Sequence, residues 1–474
     1  MENQRTMEEV LKLQREHFLN EGPPSYELRI DRLDRVQDMV IQNKDRITEA
    51  LDADFGARSP NQSLISDVYG VLPAFSHAKK HLKSWMKDEK RKSNFPFGLM
   101  GAKSYIHREP LGVVGMISPW NFPMYLSLAP LAGIFSAGNQ VMHKPSEFTP
   151  ITSELLKEIC DSAFDETEFA TFLGGPDVGA AFTQLKFDHL LFTGGNIGKH
   201  VMRAASENLV PLTLELGGKS PVIVSDSSNI DITARRVMFN KTLNAGQICL
   251  APDYVYVHET EKDNFVEACK DQVNEFYSDL KYNPDYTSVI NQKHYDRLNG
   301  LLADAKDHGA ELVEINPANE DFSQQESHKI PPTLVLNPTD EMQIMKEEIF
   351  GPLLPIKTYK DINEPINYIN KNDKPLGLYY FGNNKNEEAK VVNSTTSGGV
   401  TVNDIMGHIQ QNELGFGGVG PSGMGKYDGF DGFMNFSNNK PIYKQIGFGL
   451  DKLLDAIRPP YKGSIEDVLK KLLK

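Results

Sequence analysis

From about residue 110 the chain alternates short β-branched runs with helical stretches, and no other feature constrains its fold as strongly. Parallel strands need crossover connections, so strand, helix, strand in repetition is the pattern of an α/β protein. Residues 112–118 (GVVGMIS) read as a strand and 139–144 (NQVMHK) as the next, with an apolar helix expected over 126–137. After the second strand Thr149 supplies an N-cap with Pro150 at N1, and Ile151, Leu155 and Ile159 recur at four-residue spacing on one face. Runs at 190–193, 212–216, 221–224 and 254–258 continue the alternation, and a second α/β stretch follows a polar, irregular segment from about 333 to 403.

At 474 residues the chain has room for more than one hydrophobic core, and its net charge of −14 would repel a nucleic-acid backbone over most of the surface. The first twenty residues read as an amphipathic helix and lack the basic start and apolar run of a signal peptide. No run of 18 apolar residues offers a membrane span. Three cysteines without a CxxC pair suit neither a disulfide framework nor a zinc knuckle, so a reducing cytoplasm is expected and no metal is called for. A tail helix over 464–474 carries an apolar stripe expected to dock on protein rather than on a membrane surface.

Four places could carry chemistry. Cys249 follows a helix expected over 231–244 with Gly246 as its terminator, which puts the thiol on a loop, whereas Cys160 and Cys269 fall inside helical segments. Glu215 ends an apolar strand before two glycines, where burial should raise its pKa and suit it to accept protons; a strand-end ion pair is the plainer reading. Asn121 stands between Pro119 and Pro123 just past a strand, as an oxyanion donor or a turn cap. Lys144 and Glu147 also follow a strand, in reach of a nucleotide ribose or in a solvated turn. Residues 415–420 satisfy GxGxxG but follow a polar stretch and precede Pro421, so they read as a glycine-rich loop, near a ligand or merely at the surface.

In chain order, PWNFP (119–123), KPSE (144–147), LELGGKSP (214–221), GQIC (246–249), EIFGP (348–352) and FGGVGPSGMG (416–425) resemble the aldehyde dehydrogenase superfamily over essentially the whole chain. The CLAPDY, GVTVND and GMGKYDG segments and the RPPY tail look most like its dimeric class 3 branch, which contains fatty, aromatic and coniferyl aldehyde dehydrogenases. The resemblance implies an aldehyde dehydrogenase fold. Its parts would be a Rossmann-like NAD(P) domain (1–98 and 116–216), a catalytic domain (217–403), and a bridging and oligomerisation β element with the tail (99–115 and 430–474). It implies oxidation of a medium or long aliphatic or aromatic, coniferyl-type aldehyde to its acid through a cysteine thiohemiacetal and thioester. Cys249 would be the nucleophile, Glu215 the general base and Asn121 the oxyanion donor. Lys144 and Glu147 would hold the adenosine ribose of NAD, with NADP also admissible, and Glu348 the nicotinamide ribose. Phe350 and Trp120 would flank the nicotinamide, and Gly194, Gly195 and Gly198 the pyrophosphate.

A homodimer and a small-molecule aldehyde partner are implied as well. The rival readings are a CoA-acylating or phosphorylating relative, which would generally lack the base at Glu215, and a catalytically retired structural relative. One departure stands out. The family turn after FTG usually places four residues between its two glycines, and here only three separate Gly194 from Gly198. Either the turn is one residue short or Gly195 absorbs the change with an unusual backbone conformation.

Overall fold

A computed structural model describes residues 5–95 and 97–445 and isolated positions beyond; the 464–474 tail helix expected from sequence lies outside the described residues, such isolated positions apart. Three sheets organise the chain. A six-stranded sheet runs in the spatial order Gly423–Met424, Leu212–Glu215, His189–Thr193, Val113–Ile117, Gln140–Lys144, Phe169–Thr171, parallel except for its first strand. A seven-stranded sheet follows the order Glu311–Glu314, Thr333–Leu336, Leu353–Tyr359, Tyr254–His258, Pro221–Val224, Gly377–Phe381, Gly399–Val402, with only its first strand antiparallel. Helices cover these sheets, which is why strands such as Gln140–Lys144 and Gly377–Phe381 are buried at every position. Glu89–Arg91, Lys103–Pro110 and Ser437–Lys444 form a third, antiparallel sheet.

Several expected boundaries move, each for a physical reason. The helix expected over 126–137 is two helices, Pro123–Leu128 and Leu131–Ala137, because Pro130 has no N–H to donate into a continuous helix. On Pro150–Ala163, Leu155 and Ile159 are buried but Ile151 is 47% exposed. Each four-residue step advances about 40° beyond a full turn, and Ile151 has rotated off the core stripe. Thr149 holds the N-cap position with Pro150 at N1, but its side chain makes no capping bond. The Asp54 carboxylate, from Lys44–Phe55, accepts from Ile151 N at 3.0 Å and Thr152 N at 2.7 Å instead. Residues 113–115 belong to the six-stranded sheet, and Gly112, at φ 134, makes the turn into it. The N-terminal helix, Met7–Glu21, opens on a Thr6–Glu9 capping box.

Candidate active site

The register of the six-stranded sheet aligns the motif-bearing ends. Ile117 pairs with Lys144 on one side and Phe192 on the other, and Thr193 pairs with Glu215. Val113–Ile117 is the strand from which the chain departs to both sides, so the crevice at its carboxyl end is the topological switch point where open α/β sheets bind ligands.

Asn121 is 3% exposed on the loop that leaves this strand. Its backbone carbonyl accepts from Arg58 Nη1 at 2.9 Å and Asn244 Nδ2 at 3.0 Å, while its own Nδ2 donates to the Gln247 carbonyl at 3.1 Å. Arg58 in turn forms a fully buried pair with Asp67 at 2.6 Å and lies over the rings of Phe55 and Phe122. The other Asp67 oxygen accepts from the Met124 and Tyr125 amides, at the start of the following helix. This buried pair sets the amide's direction, and nothing in its sequence spacing announces it.

The loop carrying Cys249 departs from expectation. The preceding helix is Ile230–Thr242, and Gly246 does not simply terminate it. Asn244, Ala245 and Gly246 have φ 51, 51 and 72, a left-handed turn that costs little for Asn and Gly but strains Ala. Buried polar groups hold it: the Asn244 amide donates to Gln62 Oε1 at 3.0 Å, and Gln247 Nε2 donates to Asn244 O and Ser288 O. A Cβ on Gly246 would lie 2.3 Å from the Gly351 carbonyl, so this turn packs directly on the loop bearing Glu348 and Phe350. Ile248, Leu250 and Ala251 are buried in the main core, leaving Cys249 between them half-buried. Cys160 and Cys269 are wholly buried in helices.

Glu215 is 2% exposed, and neither of its carboxylate oxygens has a hydrogen-bond partner among the described residues. Burial holds its pKa well above the ordinary range, and the neighbouring Asp428 raises it further. Burial also pushes Asp428 up to about 7 and Glu348 to about 8, Glu348 being raised further by Asp253. Glu348 lies on Gly217, where a Cβ would fall 1.8 Å from its Oε2. Burial, then the charges of Glu348 and Glu215, raise the Cys249 thiol. Burial is thus the first cause of every one of these raised values, and the charges of Glu348 and Glu215 both bear on the Cys249 thiol. The 415–420 loop carries no nucleotide motif: its continuation, Gly423–Met424, pairs with Leu214 and Glu215, and Gly417 abuts the Glu215 carboxylate.

Trp120 meets Phe350 edge-on at 5.4 Å, with His294 at 5.2 Å and Phe148 at 6.5 Å between ring centroids. Phe350 is held at φ 48. Lys219 pins that segment by donating to Asp253 and to the Ile344 and Glu347 carbonyls, Asp253 accepts from Ile349 N, and Arg297 donates to Ile349 O. Lys219 and Asp253 belong to motif segments quoted above, and their role is to hold the Glu348 loop. On the other side Lys144 pairs with Glu147 at 2.7 Å. Gly194, Gly195 and Gly198 all keep negative φ, so the turn is simply short and Gly195 takes no unusual conformation. No atom lies within 4 Å of a Cβ placed on Gly195, and Gly198 opens the helix Gly198–Ser206 against Leu216. An unpartnered Glu348 oxygen, an open glycine turn at a helix start and a lysine at a strand end fit a dinucleotide.

A half-buried thiol on a rigid loop and an unpartnered buried carboxyl, beside a strand-end crevice that fits a dinucleotide, are the groups this site offers for chemistry. The aldehyde dehydrogenase family model matches residues 7–442. Coniferyl aldehyde dehydrogenase of Pseudomonas sp. is 50% identical over 456 residues, spanning 96% of this chain and 94% of its own. Aldehyde dehydrogenase family 3 member B1 of Rattus norvegicus is 37% identical over 458 residues, covering 96% and 95%. The substrate-bound state of Staphylococcus aureus AldH superposes with a TM-score of 0.91 at 36% identity, covering 99% of this chain and 100% of that one. The chain belongs to the aldehyde dehydrogenase family, and its class 3 resemblance holds. It is an enzyme that oxidises an aldehyde to the carboxylic acid.

Proposed function

We propose that the enzyme oxidises coniferyl-type and related aromatic or long aliphatic aldehydes with NAD, using Cys249 as nucleophile, Glu215 as base and Asn121 as oxyanion donor. The observation that carries this reading is the pair of unpartnered Glu215 oxygens buried where they bear on the Cys249 thiol. The substrate class rests on the names of the 50% identical relative and on apolar side chains, Phe122, Leu243, Met406 and Ile409, that pack on the same core as Cys249.

The Cys249 thiolate adds to the carbonyl carbon, and the oxyanion is held by Asn121 Nδ2 and the Cys249 backbone N–H, donors that need no reorganisation because their backbones are already fixed. A nicotinamide held beside Trp120 and Phe350 would supply the hydride acceptor and a positive ring charge at a centre that otherwise disfavours a thiolate. Cys249 is left as a thioester. Glu215 takes a proton from the water that attacks it, the acid departs, and the thiol is restored. Glu348 would hold the nicotinamide ribose, with Trp120 and Phe350 beside the ring, and Gly194, Gly195 and Gly198 would face the pyrophosphate. Lys144 and Glu147 would take the adenosine ribose. Glu147, as an acceptor, favours a ribose hydroxyl over a phosphate, and hence NAD over NADP.

The three sheets support the partition into a cofactor part, a catalytic part and a bridging element, with the first boundary moved to Gly112. A homodimer bridged through the antiparallel sheet and a cytoplasmic home belong to the same proposal. Among the described residues no helix is long and apolar enough to cross a membrane.

The test is NADH formation with NAD or NADP across aromatic and aliphatic aldehydes, with and without CoA or phosphate. Turnover to free acid without an added acceptor supports the reading. Dependence on CoA or phosphate, or no turnover with any aldehyde, contradicts it, and equal kcat/KM for both cofactors removes Glu147 as the discriminator.

A further inference from the structure

Shortly after Asp67, Leu72–Trp85 presents His77 and His81 one turn apart, so both imidazoles leave the same helix face. Their ring centroids are 4.5 Å apart. Glu413, 332 residues beyond His81, brings Oε1 to 3.6 Å from His77 Nε2 and 3.9 Å from His81 Nε2, and the three ligand atoms lie within 4.8 Å of one another. Two bonds of about 2.1 Å at a tetrahedral angle separate their ligand atoms by roughly 3.4 Å, so the two imidazole–carboxylate distances need to close by a few tenths of an ångström and the widest separation by up to about 1.4 Å, within reach of side-chain rotation at an exposed carboxylate. The side chains of His77 and His81 are 11% and 33% exposed and rest against Trp85, which packs on Phe430 and Phe433. That apolar floor leaves the rings little freedom and lowers the entropy lost on coordination.

We propose that His77, His81 and Glu413 bind a divalent transition-metal ion, which fastens the 403–415 segment to the Leu72–Trp85 helix. Two imidazoles and one carboxylate favour zinc, cobalt, nickel or copper over magnesium or calcium, which prefer all-oxygen ligands. Three protein ligands leave a coordination position open to water. The segment so fastened carries Met406 and Ile409, which pack on the same core as Cys249. The alternative is an ordinary imidazole–carboxylate ion pair, which would bind no cation.

Cobalt(II) titration of the Cys249→Ala protein separates these readings, because the nucleophilic thiol is itself a metal ligand and is absent there. The proposal expects one cobalt per chain, a visible d–d absorption band, and a higher Tm. The combined His77→Gln and His81→Gln changes should abolish all three, and Glu413→Gln should weaken binding by at least about tenfold, the scale on which even outer partners of metal ligands act. In the Cys249 enzyme the same substitutions should leave metal-free aldehyde oxidation in place, which shows that the variants fold. Absence of saturable one-to-one binding, or binding unchanged by His81→Gln and Glu413→Gln, overturns the proposal.

Discussion

The two loops that meet at the crevice are built on opposite principles. The cofactor-side turn, Gly194 to Gly198, has negative φ throughout and open space beside Gly195. The catalytic side stores strain: Asn244, Ala245 and Gly246 are left-handed, Phe350 is left-handed opposite them, and Gly246 presses on the Gly351 carbonyl. On the proposed function, a turn that admits a ligand stays relaxed with room beside it, whereas a turn that holds one sulfur in place is forced into an unfavourable shape and locked there by buried polar groups.

The largest effect expected from this contrast is at the sulfur itself. Cys249→Ala should lower aldehyde turnover by roughly 10⁴-fold or more while the fold survives. Cys160→Ala and Cys269→Ala should keep most activity, at a stability cost of about 1 kcal/mol each. Steady-state NADH formation and a thermal melt on all three proteins check this.

Next comes the lock. Arg58→Ala leaves Asp67 buried without its partner, a loss of about 3–5 kcal/mol. Because Asp67 also caps the turn beyond Asn121, kcat should fall more than KM for aldehyde rises. Denaturant unfolding together with kinetics separates the two consequences; unchanged stability would mean that the pair does not hold this loop.

The contrast is sharpest between two glycines. Gly246→Ala adds a methyl 2.3 Å from a backbone oxygen at φ 72 and should cost roughly 1–3 kcal/mol along with activity. Gly195→Ala meets nothing within 4 Å and should be neutral to within about 0.5 kcal/mol, yet raise KM for the dinucleotide. If Gly195→Ala leaves the cofactor KM unchanged, the short turn does not border the pyrophosphate.

The smallest effect is in pH dependence. Folding raises Glu348 from 4.5 to about 8 and Asp428 from 3.8 to about 7, so the folded chain keeps protons that the unfolded chain has released. Stability of the cofactor-free protein should therefore be highest near the acid end of that window and fall as pH rises through it, levelling above about 8. A decline in Tm between the two ends is expected. Glu348→Gln should flatten the decline, and a Tm that rises with pH over this range would reverse the sign.

The relaxed side of the molecule was far more legible in the sequence than the strained side. Apolar runs mark the strands, and the segments at their carboxyl ends, Asn121, Lys144 and Glu215, follow directly from strand polarity. Ala245 is different, because no residue type announces a left-handed alanine; the buried hydrogen bonds that hold Asn244 and Gln247 on either side impose one. Arg58 and Asp67 lie nine residues apart in a stretch with no periodic signal, and Lys219 reaches a carboxylate 34 residues away. Partners of this kind become visible only in the folded chain. The helix expected over 126–137 breaks at Pro130, and the proline is itself the sequence signal for that break.

The measurement that bears most directly on the covalent mechanism is a single turnover of Glu215→Gln with NAD and a coniferyl-type aldehyde, quenched in acid and mapped by mass spectrometry. Covalent catalysis with Glu215 as the deacylating base predicts a burst approaching one NADH per active site and an acyl group on Cys249. Loss of the burst with Cys249 unmodified would contradict it and move Glu215 to thiol activation or hydride transfer.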